Sequence, residues 1–127
     1  MEKIQKRCFL RVPFKSETIL KAQDALIDGT IKNLSIGGAF IDTPEKIEPD
    51  TRVEIEIILD DPPPSVTVIL SAKVARLAPE GIAIKFTEMS MDTYERLRDI
   101  ISDINGDKRK VVEEFLKYMH LEAYLEF

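Results

Sequence analysis

Thr51-Arg52-Val53-Glu54-Ile55-Glu56-Ile57-Ile58-Leu59 alternates apolar with charged residues almost without a break. A period of two is the mark of a β-strand with one dry and one wet face. Glu54 and Glu56 then belong to the solvated face and do not form an acid/base pair. The next segment, Asp60-Asp61-Pro62-Pro63-Pro64-Ser65, is a stiff exposed loop, because three prolines cannot join a hydrogen-bonded ladder. Beyond it Val66, Val68, Leu70, Ala72 and Val74 share one face of a second long strand. Ala78-Pro79-Glu80-Gly81 has proline and glycine where a type I turn uses them, and Gly81-Ile82-Ala83-Ile84-Lys85-Phe86 returns as a hairpin partner.

Upstream the pattern is similar. Glu17 to Ala22 is a short strand candidate, Val12-Pro13 before it is extended, and Asp24-Ala25 is a turn. Ala25 to Leu34 is a longer run in which Gly29 marks a bend or bulge. Gly37-Gly38 interrupts the chain, Ala39 to Asp42 resumes it, and Thr43 to Asp50 is a loop. No helical period occurs in the first two-thirds, which predicts a closed or nearly closed antiparallel barrel. The last third changes to helical spacing. Ser90 is suited to an N-cap, Tyr94, Leu97, Ile101 and Ile104 form a stripe, and Asn105-Gly106 ends it. Asp107 caps a second helix over 107–127, with Val112, Phe115, Leu116, Met119 and Ala123 as its apolar side.

A chain of 127 residues with 44% hydrophobic and 32% charged residues is that of a soluble globular domain. It has no apolar run of membrane-spanning length, and its first residues lack the apolar stretch of a secretory signal, so neither a secretory leader nor membrane insertion is expected. The single Cys8 excludes an intramolecular disulfide and suits a reducing, cytoplasmic setting. The net charge is −5, which argues against general nucleic-acid binding. Residues 1–15 hold five cations against Glu2, a local +4, so the remainder carries −9. A small basic patch on an acidic body suits a compact anion.

That patch contains Lys6-Arg7-Cys8-Phe9-Leu10-Arg11. Guanidinium forks hold phosphate oxygens and the O6/N7 edge of guanine in a bidentate way. A second stretch, Asn33-Leu34-Ser35-Ile36-Gly37-Gly38, offers an amide, a hydroxyl and a backbone that a planar ligand can approach closely. By itself it reads as a tight turn. Together the two stretches resemble the PilZ domain, the bacterial receptor module for cyclic di-GMP. That family carries Arg-x-x-x-Arg on an N-terminal loop and then Asp/Asn-x-Ser-x-x-Gly. Gly29-Thr30-Ile31-Lys32 and Gly81-Ile82-Ala83-Ile84-Lys85-Phe86 extend the similarity over roughly residues 5–103.

The resemblance implies a mainly β fold with C-terminal helices: a six-stranded antiparallel β-barrel of the split-barrel kind, followed by two α-helices. The domain would occupy 1–103, with an additional C-terminal helix over 104–127. Arg7 and Arg11 would bind phosphates and guanine Hoogsteen edges. Asn33, Ser35 and Gly38 would line the seat of one guanine. Asn33 stands where many relatives have aspartate, which weakens a charge-assisted contact to the guanine N1/N2 edge. Lys6, at a position thought to influence stoichiometry, implies a stacked pair of cyclic di-GMP molecules per protomer.

Arg76 is a further ligand-binding candidate. Strand parity sets it with Val74 and Leu70, so it either emerges at the barrel mouth or is turned to solvent by a bulge.

His120 is the chain's one histidine and has no companion ligands, so no metal is expected, and no cofactor beyond the nucleotide ligand. Nothing resembles a nucleophile–base pair, a phosphate loop or a dinucleotide fingerprint, so no enzyme activity is expected. The function implied is a non-catalytic cyclic di-GMP receptor whose N-terminal loop orders on binding and which acts through a downstream protein partner, with a homodimer also open. The alternative is a protein–protein adaptor that keeps the fold and does not use the nucleotide. A single-strand nucleic-acid binder would need aromatics along a basic groove, and the nine aromatics fall mostly at apolar-periodic positions.

Overall fold

The computed structural model describes residues 11–59, 65–107, 109–110 and 112–113. Six strands, β1 (Val12–Ala22), β2 (Ala25–Leu34), β3 (Gly38–Asp42), β4 (Arg52–Leu59), β5 (Val66–Ala78) and β6 (Gly81–Glu88), precede one helix, α1 (Met91–Asn105). The strands form a closed barrel in the order β1-β2-β3-β6-β5-β4, every neighbouring pair antiparallel. Closure comes from β4 pairing back onto β1 over Thr18–Lys21 and Glu54–Ile57. A closed sheet has no edge left to template aggregation.

Alternation in β4 and β5 does what the sequence suggests. Val53, Ile55, Ile57 and Leu59 point inward against Val68, Leu70, Ala72 and Val74. Leu20, Ile31, Ile41, Ile82 and Ile84 complete the interior. Each such side chain contributes about 1.5–3 kcal/mol by leaving water. Thr18 also faces inward, and its hydroxyl donates to the Glu56 carbonyl at 2.6 Å.

Several boundaries differ from the sequence reading. β1 begins at Val12, five residues before the expected start. Pro13 is tolerated there because β1 pairs with β4 only over Thr18–Lys21, leaving one side of the strand without a ladder at Pro13. The first turn is Gln23–Asp24, with Gln23 at φ 55°. Gly29 is not the bulge in β2. It pairs in register with Thr18, and a Cβ on it would lie 2.6 Å from Ile41 Cγ2, so its role is close packing. The extra residue in β2 is Lys32, two positions before Leu34.

α1 follows the capping signals. Thr93 N–H donates to Ser90 Oγ at 3.1 Å, and the helix ends at Gly106 with φ 83°, its N–H donating to the Ser102 carbonyl. Tyr94, Leu97 and Ile101 are buried as expected, but Ile104 is 41% exposed and leaves the stripe. The described residues show one helix where two were expected. The second, over 107–127, lies largely outside them. Of its described residues, Lys110 N–H donates to Asp107 Oδ1 at 3.1 Å, and Arg109, Lys110, Val112 and Glu113 are helical.

Two glycines separate steric from conformational need. A Cβ at Gly81 would sit 2.0 Å from the Ile41 carbonyl oxygen, whereas at Gly106 it would meet nothing within 4 Å. Gly81→Ala therefore forces β6 away from β3 and should cost about 3 kcal/mol. Gly106→Ala pays only for the left-handed backbone, about 1 kcal/mol. Urea unfolding of both variants checks this; equal losses would contradict the difference in cause.

Candidate ligand-binding site

The second motif forms the connection from β2 to β3, and its hydroxyl shapes it. Ser35 Oγ accepts from Gly37 N–H at 3.1 Å and Gly38 N–H at 3.2 Å. The same hydroxyl donates to the Gly38 carbonyl at 3.3 Å, while Ser35 N–H donates to that carbonyl at 2.9 Å. A hydroxyl has one donor and two acceptor sites, so Ser35 is saturated by its own turn. It is also buried, as is the adjacent Ile36. The tight-turn reading is therefore correct for Ser35 whatever else the turn does.

Gly38 is required by a close approach. A Cβ on it would lie 2.1 Å from the Ile84 carbonyl oxygen, because β3 and β6 pair there through Gly38 and Lys85. The Phe86 N–H donates to the Gly37 carbonyl at 2.9 Å and continues this contact. The turn is thus fastened to the barrel on its β6 side.

Arg11 stands on the other side. It directly precedes Val12, whose partner is Leu34, so the ladder brings it beside Ser35. Arg11 is exposed and makes no hydrogen bond or ion pair with described residues. Lys6 and Arg7 lie outside the described residues.

Asn33 is outward-facing because of the β2 bulge. Ile31 and Leu34, three apart, both point inward, so Lys32 and Asn33 between them both face out. The cross-strand row through Asn33 is Pro13, Asn33, Phe40, Ala83 and Arg76. A bulge at Ala75 breaks the parity of β5 and turns Arg76 out to solvent, opposite Ala83. Of the two sequence readings of Arg76, the bulge to solvent is what the register shows, and the residue stands in the same outward row as Asn33. Three strand spacings, about 14 Å, separate the two strand positions.

Sequence reasoning missed Phe40. It is half-buried on the outer face between Asn33 and Ala83, and its Cε2 would lie 3.0 Å from a Cβ on Gly81. An aromatic surface between an amide and a guanidinium suits a flat heterocycle. Its alternation with buried Ala39 and Ile41 carried the signal, but the sheet order was needed to see its neighbours.

The family profile for the PilZ domain matches residues 5–103, which includes both motifs. The chain belongs to the PilZ domain family. This is a family of cyclic di-GMP receptors. Solved structures agree on the fold. The PilZ domain of CeSA from a cellulose-synthesizing bacterium is 22% identical with a TM-score of 0.57, covering 76% of this chain and 96% of that one. The PilZ domain of YcgR from Escherichia coli with c-di-GMP is 17% identical with a TM-score of 0.64, covering 86% and 98%. The Bacillus subtilis inhibitor of motility MotI is 16% identical with a TM-score of 0.65; the match covers 92% of this chain but 55% of MotI. A comparison with curated proteins finds no match. Among the described residues no helix is long and apolar enough to cross a membrane, and no group of three or more His, Cys, Asp or Glu could hold a metal ion.

Because Ser35 serves the PilZ turn, Ser35→Ala should leave the Gly37 and Gly38 N–H groups short of an acceptor. The expected cost is about 1–3 kcal/mol of stability, and Ser35→Thr should restore most of it. Equal stability of Ser35→Ala and wild type in chemical denaturation would show that the turn does not need the hydroxyl.

Proposed function

We propose that this PilZ domain is a non-catalytic receptor for cyclic di-GMP, acting in the bacterial cytoplasm through a protein partner. The observation that carries the reading is one of register. Arg11, Ser35 and Gly38 come from both ends of the arginine-to-glycine motif pair, and the β1-β2-β3 ladder gathers them at one end of the barrel. Asn33 lies one row away on the outer face. The ligand site consists of a fixed part, the β2–β3 turn, and a cationic part, Arg11 with Arg7 and Lys6 before it.

The two parts supply different chemistry. The turn presents main chain without side-chain bulk at Gly38, the Asn33 carboxamide can pair with a purine edge, and the arginines supply charge-assisted hydrogen bonds to phosphate and to O6/N7. Each charge-assisted bond contributes about 1.5–3 kcal/mol. Four or five of them offset the ordering of a short loop at about 1–2 kcal/mol per residue. Binding thus draws the N-terminal stretch onto the barrel, a local charge-pairing event read out as a change of surface.

Titration of the protein with cyclic di-GMP, GTP and an oligonucleotide tests this. Saturable binding of cyclic di-GMP alone is expected. Arg7→Ala and Arg11→Ala should each weaken it at least tenfold, about 1.4 kcal/mol or more, with unchanged circular dichroism. Proteolysis within residues 1–11 should slow when the nucleotide is present; equal cleavage rates with and without it would remove the ordering step. Absence of any nucleotide binding would leave the adaptor reading.

A further inference from the structure

On one side the barrel is closed for only part of its height. β4 pairs with β1 over Glu54–Ile57 and Thr18–Lys21, and towards the start of β1 the two strands part. There Ser16 Oγ donates to the Ile58 carbonyl, a side-chain bond where the ladder has ended. The parted strands and the last turns of α1 surround an open depression of about 650 Å³. Phe14 lines it from β1, Ile58 from β4, and Ile100 and Ile104 from the helix. Ile104 is 41% exposed and the other three are half-buried, so four large apolar side chains meet water here. Exposed Lys15, Glu17 and Asp103 also line it, so the depression suits an amphipathic segment better than a wholly apolar one.

The chain leaves α1 at the edge of this depression. Ile104 lies in the last turn of the helix, and Gly106, at φ 83°, turns the backbone out of it. Lys110 N–H then donates to Asp107 Oδ1, and helical backbone resumes at Arg109. Residues 106–108 alone join the two helical stretches. A connection this short sets two helices side by side and antiparallel. The second stretch carries its apolar side at Val112, Phe115, Leu116, Met119 and Ala123. On α1, Ile100 and Ile104 are four apart and share a face next to the buried Leu97 and Ile101. At about 1.5 Å per residue, a helix from 109 to 127 is about 28 Å long, enough to run the length of α1.

We infer that residues 109–127 fold back along α1 and fill this depression, setting Val112, Phe115, Leu116 and Met119 against the apolar side chains that line it. Three features select this occupant over a separate partner. The segment starts at the rim, its apolar side repeats at helical spacing, and its tether is three residues long. So short a tether holds it at an effective concentration on the order of mM, without waiting for an encounter. Antiparallel pairing about the connection brings position 112 near 104 and position 116 near 100. The C-terminal segment is then part of the folded domain, and its polar side is what solvent meets. A downstream partner can dock at the parted β1–β4 seam only by displacing it. The inference is independent of the nucleotide and of the receptor reading.

Paired cysteines in the full chain, with no nucleotide present, test the assignment. Cys8 is the only native cysteine, so Cys8→Ser is the background. Ile100→Cys/Leu116→Cys should form a disulfide within one chain on mild oxidation. Ile100→Cys/Leu121→Cys, whose second cysteine lies about 140° round the helix, should form one at least tenfold more slowly. Urea unfolding guards against a folding defect in the cysteine variants. Ile104→Ala and Phe115→Ala should each lower the midpoint, and the double variant should lose clearly less than the sum of the two, because the residues share one contact. Additive losses, or an unchanged midpoint for Phe115→Ala, overturn the docking. So do equal crosslinking of the two cysteine pairs and no crosslinking of either. Disulfides formed only between chains, with a mass that rises with concentration in sedimentation, overturn it in favour of a second copy as the occupant.

Discussion

Closure of the barrel depends on the pairing of β4 back onto β1, and this pairing fixes everything the surface can do. Thr18 lies opposite Ile57 and Lys21 opposite Glu54, and a slip of one residue would turn Ile55 and Ile57 to water. Such a slip would expose side chains now wholly buried, at about 1.5–3 kcal/mol each. With the register so constrained, outward residues have no freedom to choose their neighbours. Asn33, Phe40, Ala83 and Arg76 share a row because Ile31, Ile41, Ile82 and Val74 must share the interior.

Bulges then adjust what the interior dictates. Lys32 and Ala75 are extra residues beside this row, and a third irregularity lies between Pro13 and Ser16 in β1. Lys32 and Ala75 break the strict alternation of their strands, whereas β1 keeps its alternation across its own irregularity. Without the bulge at Ala75, Arg76 would follow Val74 into the core, where an unpaired guanidinium costs far more than a ladder hydrogen bond. Without Lys32 as an extra residue, Asn33 and Leu34 could not both take their present sides. The irregular ladder is the means by which a tightly packed sheet presents polar groups on one part of its surface.

Composition made the regular parts legible and hid these. Alternation in Arg52–Leu59 and Val66–Val74 was strong enough to specify strands and their dry faces, and Ser90 and Gly106 marked the helix ends by their chemistry. A bulge leaves no such mark: Lys32 and Ala75 are ordinary strand residues, and the one glycine in β2 pointed to the wrong position. Gly29 is small because Ile41 packs on it. Ile104 keeps helical spacing but lies at the last turn of α1, beside an open depression that it shares with Phe14, Thr30 and Leu59, and so remains half in water. The motifs Arg7-x-x-x-Arg11 and Asn33-x-Ser35-x-x-Gly38 were readable because they are local. The outward row of Asn33, Phe40, Ala83 and Arg76 was not, since its members become neighbours only once the strand order is known.

Saturation of the Ser35 hydroxyl separates rigidity from affinity in this site. A group whose donor and both acceptor positions are used inside the turn has little left for a ligand, so the turn contributes shape: a bare backbone at Gly38, pinned to β6 through the Gly37 carbonyl and Phe86 N–H. Shape that is already built costs no ordering when the nucleotide arrives. The guanidinium groups are the opposite case. Arg11 has no partner among the described residues, so on the proposed reading its side chain would lose entropy only on binding, in return for a charge-assisted contact that weakens as salt screens it. On the proposed reading, selectivity for the ring system would rest on the fixed turn, which ionic strength scarcely alters, and affinity on the cations, which it alters strongly. A receptor built that way would be tuned in strength by substituting arginines without changing what it recognises.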